Sequence, residues 1–511
     1  MAASKTLNSD PSDRPGPADS GRTPQAPLAS QAITDHRDRA RRDLSRWLWR
    51  HVRAYRDRYE LREQRKLDVS RPTLGHPVPP EDEKVGVRVV WLAEVFGPGM
   101  IDALVSGVDA FDLAGTIGRE VSTEQEIRQR RESGSWVAWD LRHLYAPDEA
   151  HLSYFDDPPS RLPSGVRAVM PTLAFSAQAI TVLTCAFVLD DESTFVVDRV
   201  LRAEHRSELR RNRRRSWVVG PEQTQRDAVR AVRCETREHL SRWVADHFPG
   251  TFAAASGARW PTVELMTYRT AAAEDDYARR GGGWQWALDL ACFPMWTSKI
   301  WPDVRLVHHH HGDDPFVLTL EANETRLRVD RRVAPDGNAA RWTTLAGHLN
   351  RSFSGHVALW ATARYADHLA SRLAATRDEQ IPHNMSPRAS SRQLRTAHQR
   401  LSLISTAQEV AESIAGIQGP EVFSFYDHTT WSCEEPTRLV WSAITVDSTK
   451  QTANEVARLE PKARDRLQME AQLFSAAAGL RIQRQTIVIS VVAVLLAAAA
   501  LAVALIANAH S

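Results

Sequence analysis

Apolar positions follow three regimes along the chain. Between Lys84 and about Val333 they come in short runs separated by turn residues. After Pro335-Asp336-Gly337 they recur every three or four residues, as helices require. From Thr486 to Ala507 they are continuous. In the first regime, Val85 to Phe96 is β-branched and apolar, and Gly97-Pro98-Gly99 closes it as a turn. Ser122-Thr123-Glu124-Gln125-Glu126 predicts an N-cap with an acidic first turn, opening a charged helix that runs to about Glu132. Gly165 to Phe175 and Ala179 to Leu189 are the most strand-like runs. The second is nearly all apolar, which suits a central strand covered on both faces. Helices are predicted at Thr194–Arg211 and Pro221–His247, the latter stopped by Pro249-Gly250. Strands resume at Val304–His311 and Phe316–Asp330, the second bent as a hairpin around Asn323. The fold class expected for residues 84–335 is an α/β or α+β domain with helices on a mixed sheet.

Residues 338–460 form a mostly helical region, with helices expected at Arg341–Asp378, Arg388–Ile417 and Leu439–Glu460. Pro461 suits the first turn of a new helix. With no strong breaker after it, residues 461–507 would form one helix of about 70 Å. Its first part, 461–485, is a juxtamembrane helix, and 486–507 is a transmembrane helix. The 22 uncharged residues from Thr486 to Ala507 span roughly 33 Å, enough for a bilayer core of about 30 Å. A helix apolar on every face is buried in protein or in lipid. Lys462, Arg464, Arg466, Arg481 and Arg484 precede the span and no Lys or Arg follows it. The positive-inside rule therefore puts the N-terminus and the bulk of the chain in the cytoplasm of a single-pass, tail-anchored cell-membrane protein. Cys185, Cys234, Cys292 and Cys433 are widely spaced with no CxxC pair, as reduced thiols would be.

At the other end, residues 1–34 are rich in Pro, Ser, Gly and Asp and are expected to be a disordered tail. Residues 35–80 comprise a basic amphipathic helix and a Pro-rich linker. From Asp35 to Asp68 the helix carries 12 basic and 7 acidic residues, with an apolar stripe at Leu44, Trp47, Leu48, Val52, Tyr55 and Tyr59. That stripe predicts packing against the following domain. The other use of a basic amphipathic helix is to lie on anionic lipid.

Charge narrows the picture little. The formal net charge is +2, and 59 of the 65 basic residues are Arg, so Arg-rich stretches are weak evidence for nucleic acid, which is not expected as a partner. Sixteen Trp against eight Tyr point to an aromatic core. Basic residues that could meet a membrane surface are Arg37, Arg41 and Arg46, then Arg210, Arg211 and Arg214, and finally Arg481 and Arg484. The ordinary reading of Arg199–Arg215 is the solvated C-terminus of a helix, favoured by its dipole.

Candidate chemistry is sparse. The run His308-His309-His310-His311-Gly312-Asp313-Asp314 offers His308, His310 and Asp313 as ligands for a divalent metal, although four consecutive histidines do not surround one ion unaided. The favoured reading of the same residues is a polar strand end or loop. Asp190 and Asp191 follow the most apolar strand, a position from which α/β sheets present carboxylates to magnesium and phosphate, and are the catalytic candidates. The competing reading is an ordinary N-cap before the helix near Thr194. Gly281-Gly282-Gly283 lacks the Lys-Ser/Thr of a phosphate-binding loop. No GxSxG, HExxH, Rossmann GxGxxG or EF-hand pattern occurs, and no cofactor is called for beyond that possible metal. In the span, Ala493, Ala497, Ala500 and Ala504 allow close helix approach, so a homo-oligomer through the transmembrane and juxtamembrane helix is expected alongside the lipid bilayer as partner.

These features favour a membrane-anchored cytoplasmic protein that binds, scaffolds or senses over an enzyme. The alternatives are a membrane-tethered, metal-dependent enzyme and a transporter or channel subunit acting as an oligomer. The order of domain, helices and span resembles the two-helix magnesium channels in outline. Their second span and Gly-Met-Asn loop are missing, and membership in that family does not follow.

Overall fold

The computed structural model describes residues 41, 43–45, 48, 52–66, 68, 77–114, 122–132, 137–149, 162–211, 216–255, 259–270, 284–288, 295–298, 300–308, 316–378, 400, 403–417, 431–433 and 440–509. The expected tail, residues 1–34, lies outside them. In chain order the elements begin with helix α1 (52–66), strand β1 (Val85–Phe96), helices α2 (Ile101–Ala110) and α3 (Thr123–Glu132), and strands β2 (Val137–Asp140), β3 (Leu144–Tyr145), β4 (Val166–Ala177) and β5 (Ile180–Leu189). Helices α4 (Asp191–Thr194) and α5 (Val196–Arg202), strands β6 (Glu208–Arg211) and β7 (Ser216–Val219), and helices α6 (Pro221–His247) and α7 (Thr251–Ala254) follow. Strands β8 (Thr262–Tyr268), β9 (Met295–Ser298), β10 (Val304–His308) and β11 (Val317–Asn323) lead into helices α8 (Glu324–Arg328), α9 (Trp342–Asp378) and α10 (403–415). Strand β12 (Trp431–Cys433) and helix α11 (Trp441–Ala509) complete the series.

Two compact units emerge. The larger, Thr73–Arg206 with Pro221–Ser511, is built on a ten-stranded mixed sheet. Nine strands run in the order β12-β9-β10-β11-β8-β1-β5-β4-β2, and β3 pairs with β4. Only β8 and β11 are parallel among the described pairs. The fold is therefore on the α+β side of the two expected classes. Strand β1 shows why it is central. Val89, Trp91, Ala93 and Val95 enter one core, while Val90, Leu92 and Phe96 enter the other. Strand β5 is buried along its whole length between β1 and β4, as its nearly continuous apolar run predicts.

Helices α2, α3, α5 and α6 cover one face through Leu104, Ile127, Leu201 and Trp243. Helix α9 covers the other face and is itself covered by α10 and the first half of α11, which makes it buried on nearly every side. Inside that layer Trp91 donates to Asn350 Oδ1 (3.0 Å), Asn350 donates to Thr172 (3.1 Å), and Thr172 donates to Asp140 (3.1 Å). The buried Asn350 of α9 is thus tied to the sheet, as burial of an amide requires. Pro461 does not start a helix. It lies inside α11, which runs unbroken from Trp441. A Pro in a helix interior costs about 3 kcal/mol. Burial of Val456, Leu459, Ala463 and Leu467 on both sides of it offsets that cost.

Two further expectations are corrected. The segment after Asn323 is α8 rather than the second arm of a hairpin, because the Asn323 side chain accepts from Arg326 N (2.9 Å) and caps a helix. The helix predicted over Thr194–Arg211 ends at Arg202, and the arginine-rich stretch enters a β-hairpin, β6–β7. That hairpin belongs to the smaller unit, Met1–Pro72 with Ser207–Gly220. There, Ser216 donates to Asp57, Ser207 Oγ donates to Asp68 (2.7 Å), and Arg65 donates to the Ser207 carbonyl (3.2 Å). These bonds join α1 to the hairpin through the polar face of the helix. Of its apolar stripe, Leu44, Leu48, Val52, Tyr55 and Tyr59 are exposed.

Candidate functional site

Helix α11 has 69 residues and is about 100 Å long at 1.5 Å per residue. Its first half is a packed element. Val446, Thr449, Ala453, Val456, Glu460, Ala463, Leu467 and Glu470 recur at alternating spacings of three and four and are buried. Polar contacts fix the register: Thr452 donates to Asp367 (3.0 Å), Arg464 to Gln408 (3.1 Å), and Arg400 pairs with Glu470 (3.4 Å). From Gln483 to Ala500 the same helix is long and apolar enough to cross a membrane, and none of that window is buried in protein. Ile487, Val488, Ile489, Val491, Val492, Val494, Leu495 and Leu496 are each 49–68% exposed. At roughly 1.5–3 kcal/mol per fully buried aliphatic side chain, leaving eight of them in water forfeits on the order of 10 kcal/mol. Arg484 is exposed at the start of this stretch, and Arg481 precedes it in the same helix. Ala493, Ala497 and Ala500 are exposed, and Ala504 continues their spacing of four, three and four along one helix face.

The catalytic candidates are engaged in local structure. Asp190 is the N-cap of α4, its carboxylate accepting from Ser193 N (2.7 Å). Asp191 accepts from Arg88 (2.6 Å) and sits 3.9 Å from Arg167. The Arg88 hydrogen bond holds its carboxyl below the usual range, with the charges of Arg88, Arg167 and Arg328 adding to the effect. A carboxylate so stabilised in its charged form is a weak base near neutral pH. Strand β5, which leads into these residues, is antiparallel to β1 and β4, unlike the parallel strands whose carboxyl ends present carboxylates to magnesium and phosphate.

Arg88 itself organises this end of the sheet. It sits where the β1–β8 register slips, between Val87 and Val89. Its guanidinium, 5% exposed, binds Asp191 and both oxygens of Glu324 (3.1 and 3.2 Å). It lies between the rings of Phe195 (4.5 Å) and Trp342 (5.0 Å). Glu149 extends the network by accepting from Arg167 (3.3 Å) and Thr343 (2.9 Å).

Two other buried acids were not singled out from the sequence. Glu264 of β8 is paired with Arg233 and Arg237, each at 2.6 Å, and Arg233 also donates to the Leu288 carbonyl and to Thr319. Burial pushes the Glu264 carboxyl up, but the two guanidiniums outweigh it and hold it below the ordinary value. Glu94 of β1 accepts from Val95 N, Phe252 N and Ala253 N, so it caps α7 from within the core. Its burial outweighs those hydrogen bonds and raises its pKa to about 7. Gly250 makes the cap possible, because a Cβ there would lie 2.6 Å from Glu94 Cγ. A lone charge inside an apolar strand run was the available signal in all three cases, Arg88, Glu94 and Glu264, because such charges persist only when paired or hydrogen-bonded.

Of the proposed metal ligands, His308 ends β10 and its side chain is outside the described residues, as are His310 and Asp313. Among the described residues no group of three His, Cys, Asp or Glu side chains is placed to hold a metal ion. Among the basic candidates Arg41 is exposed, Arg210 is half-buried and Arg211 is exposed in β6, while Arg37, Arg46 and Arg214 lie outside the described residues. No known protein family, curated protein or solved structure matches the chain.

Proposed function

We propose that this chain is a single-pass membrane-anchored protein, held at a bilayer by the last part of α11, whose folded unit binds, scaffolds or senses on the cytoplasmic side. The exposure of every residue from Gln483 to Ala500 on an apolar helix carries the reading. Lipid supplies the burial that the protein does not. Lys462, Arg464, Arg466, Arg481 and Arg484 on its N-terminal flank support that orientation. Because α11 passes from its packed half into the span without interruption, tilt or rotation of the span is transmitted to the helix that covers α9. This direct mechanical link suits scaffolding or sensing. Asp190 and Asp191, committed to a cap and an ion pair, lend no support to a tethered enzyme that uses them.

Flotation and alkaline extraction of membranes carrying the full chain test the anchor. The chain should stay with lipid after carbonate, and release into the supernatant would overturn the proposal. Protease treatment of oriented vesicles tests the side. Digestion of the sheet unit only from the cytoplasmic face is expected, and digestion only from the opposite face would overturn the orientation.

A further inference from the structure

Helix α1 presents its faces in the reverse of the usual order. In α1, Val52, Tyr55 and Tyr59 share one face and Asp57 lies on the opposite one, and at 3.6 residues per turn the helical residues Leu44 and Leu48 before it and Asp68 after it continue those two spacings. Asp57 is buried and accepts from Ser216, while Asp68 accepts from Ser207. The polar face is therefore occupied by the β6–β7 hairpin. The apolar face is 49–75% exposed at those five positions. Around it, Arg41, Arg62 and Lys66 lie at the ends of the stripe, and Arg56 and Arg58 run along its flanks, all of them exposed. Glu60 and Glu63 balance Arg56 and Lys66. Arg58 and Arg62 have no ion pair among the described residues.

We infer that α1 is a second, peripheral membrane contact, lying in the headgroup region of an anionic bilayer with Leu44, Leu48, Val52, Tyr55 and Tyr59 inward. The inference rests on the anchored reading, which keeps α1 close to a membrane throughout the life of the protein. Charge selects the occupant. Arginines flanking an apolar stripe complement anionic headgroups, and their aliphatic stems reach past the tyrosines toward the phosphates. Tyrosine suits that zone because its ring is apolar and its hydroxyl is wet. A second copy of α1 on the same stripe would bring like charges together along both flanks, since a two-fold pair apposes identical surfaces.

Hydrogen exchange of the full chain in lipid nanodiscs tests this. Amides of residues 52–66 should exchange about thirtyfold more slowly in phosphatidylserine-containing discs than in phosphatidylcholine discs at low salt, from roughly two basic residues acting at the surface. Arg58→Glu with Arg62→Glu should abolish the difference, and Val52→Asn with Tyr55→Asn should remove protection in both discs. These four positions are exposed, so all variants keep the hairpin contacts. Equal exchange in the two lipids overturns the inference. So does protection in detergent that grows with protein concentration, which would mark a second copy as the occupant. Co-elution of the chain with discs reports the terminal anchor separately, so failure of that reading is distinguishable from failure at α1.

Discussion

Replacing Leu495 and Leu496 by Arg probes the terminal helix where it would meet the centre of a bilayer. From Thr486 to Ala507 the segment holds three Ile, five Val and four Leu. At about −0.3 to −0.6 kcal/mol each, with Ala counted as neutral, insertion is favoured by roughly 4–7 kcal/mol. One central Arg costs about 2.5–3.5 kcal/mol and forfeits the Leu contribution, so Leu496→Arg alone removes about half of that. The double variant costs roughly 6–8 kcal/mol and cancels insertion. Leu495 and Leu496 are 64% and 66% exposed and touch no core. The melting of the sheet unit should therefore shift by no more than about 0.5 kcal/mol. The assay pairs carbonate extraction with thermal unfolding of the same preparations. The single variant should remain mostly in the pellet and the double variant should move to the supernatant. A double variant as resistant to extraction as the parent would refute the bilayer argument. Loss of several kcal/mol of folding stability would show instead that the helix is buried in protein.

Three other outcomes follow from the interior. Arg233→Met leaves the buried Glu264 carboxylate with Arg237 alone and should cost about 3–5 kcal/mol by denaturant unfolding, while Arg233→Met with Glu264→Met should recover more than half of it; additive losses would mean the pair is not coupled. Glu94 has a folded pKa raised to about 7 against an ordinary 4.5. Its contribution is fully present below about pH 4.5 and is lost as pH rises through 7, a change of roughly 3 kcal/mol. Glu94→Gln should flatten that part of the stability–pH curve, and an unchanged slope would place the titration elsewhere. Asp190→Ala should cost about 1 kcal/mol through the lost cap on Ser193 N, so a neutral effect on unfolding would contradict the capping role.

Read alone, the chain determined those features in which a residue's surroundings are set by its near neighbours. The apolar span, the strands β1, β4 and β5, the cap at Ser122 and the limits of α6 all carry local signatures: unbroken apolarity, turn residues, a capping side chain, or Pro at a first helical turn. Tertiary structure decided what long-range contact selects. Glu208–Arg211, in the Arg-rich stretch, has a pattern compatible with helix, and pairing with Ser216–Val219 makes it a strand. The alternation of Thr262–Tyr268 around a buried Glu264 makes sense only once Arg233 and Arg237 arrive from α6. Pro461 marks a helix start locally, but contacts on both sides carry α11 through it. Helix α1 shows the same division. Its periodicity establishes that an apolar face exists, but the side of the helix that a neighbour covers depends on which contacts form. Here the hairpin bonded to Asp57 and Asp68, and the apolar face was left to the solvent.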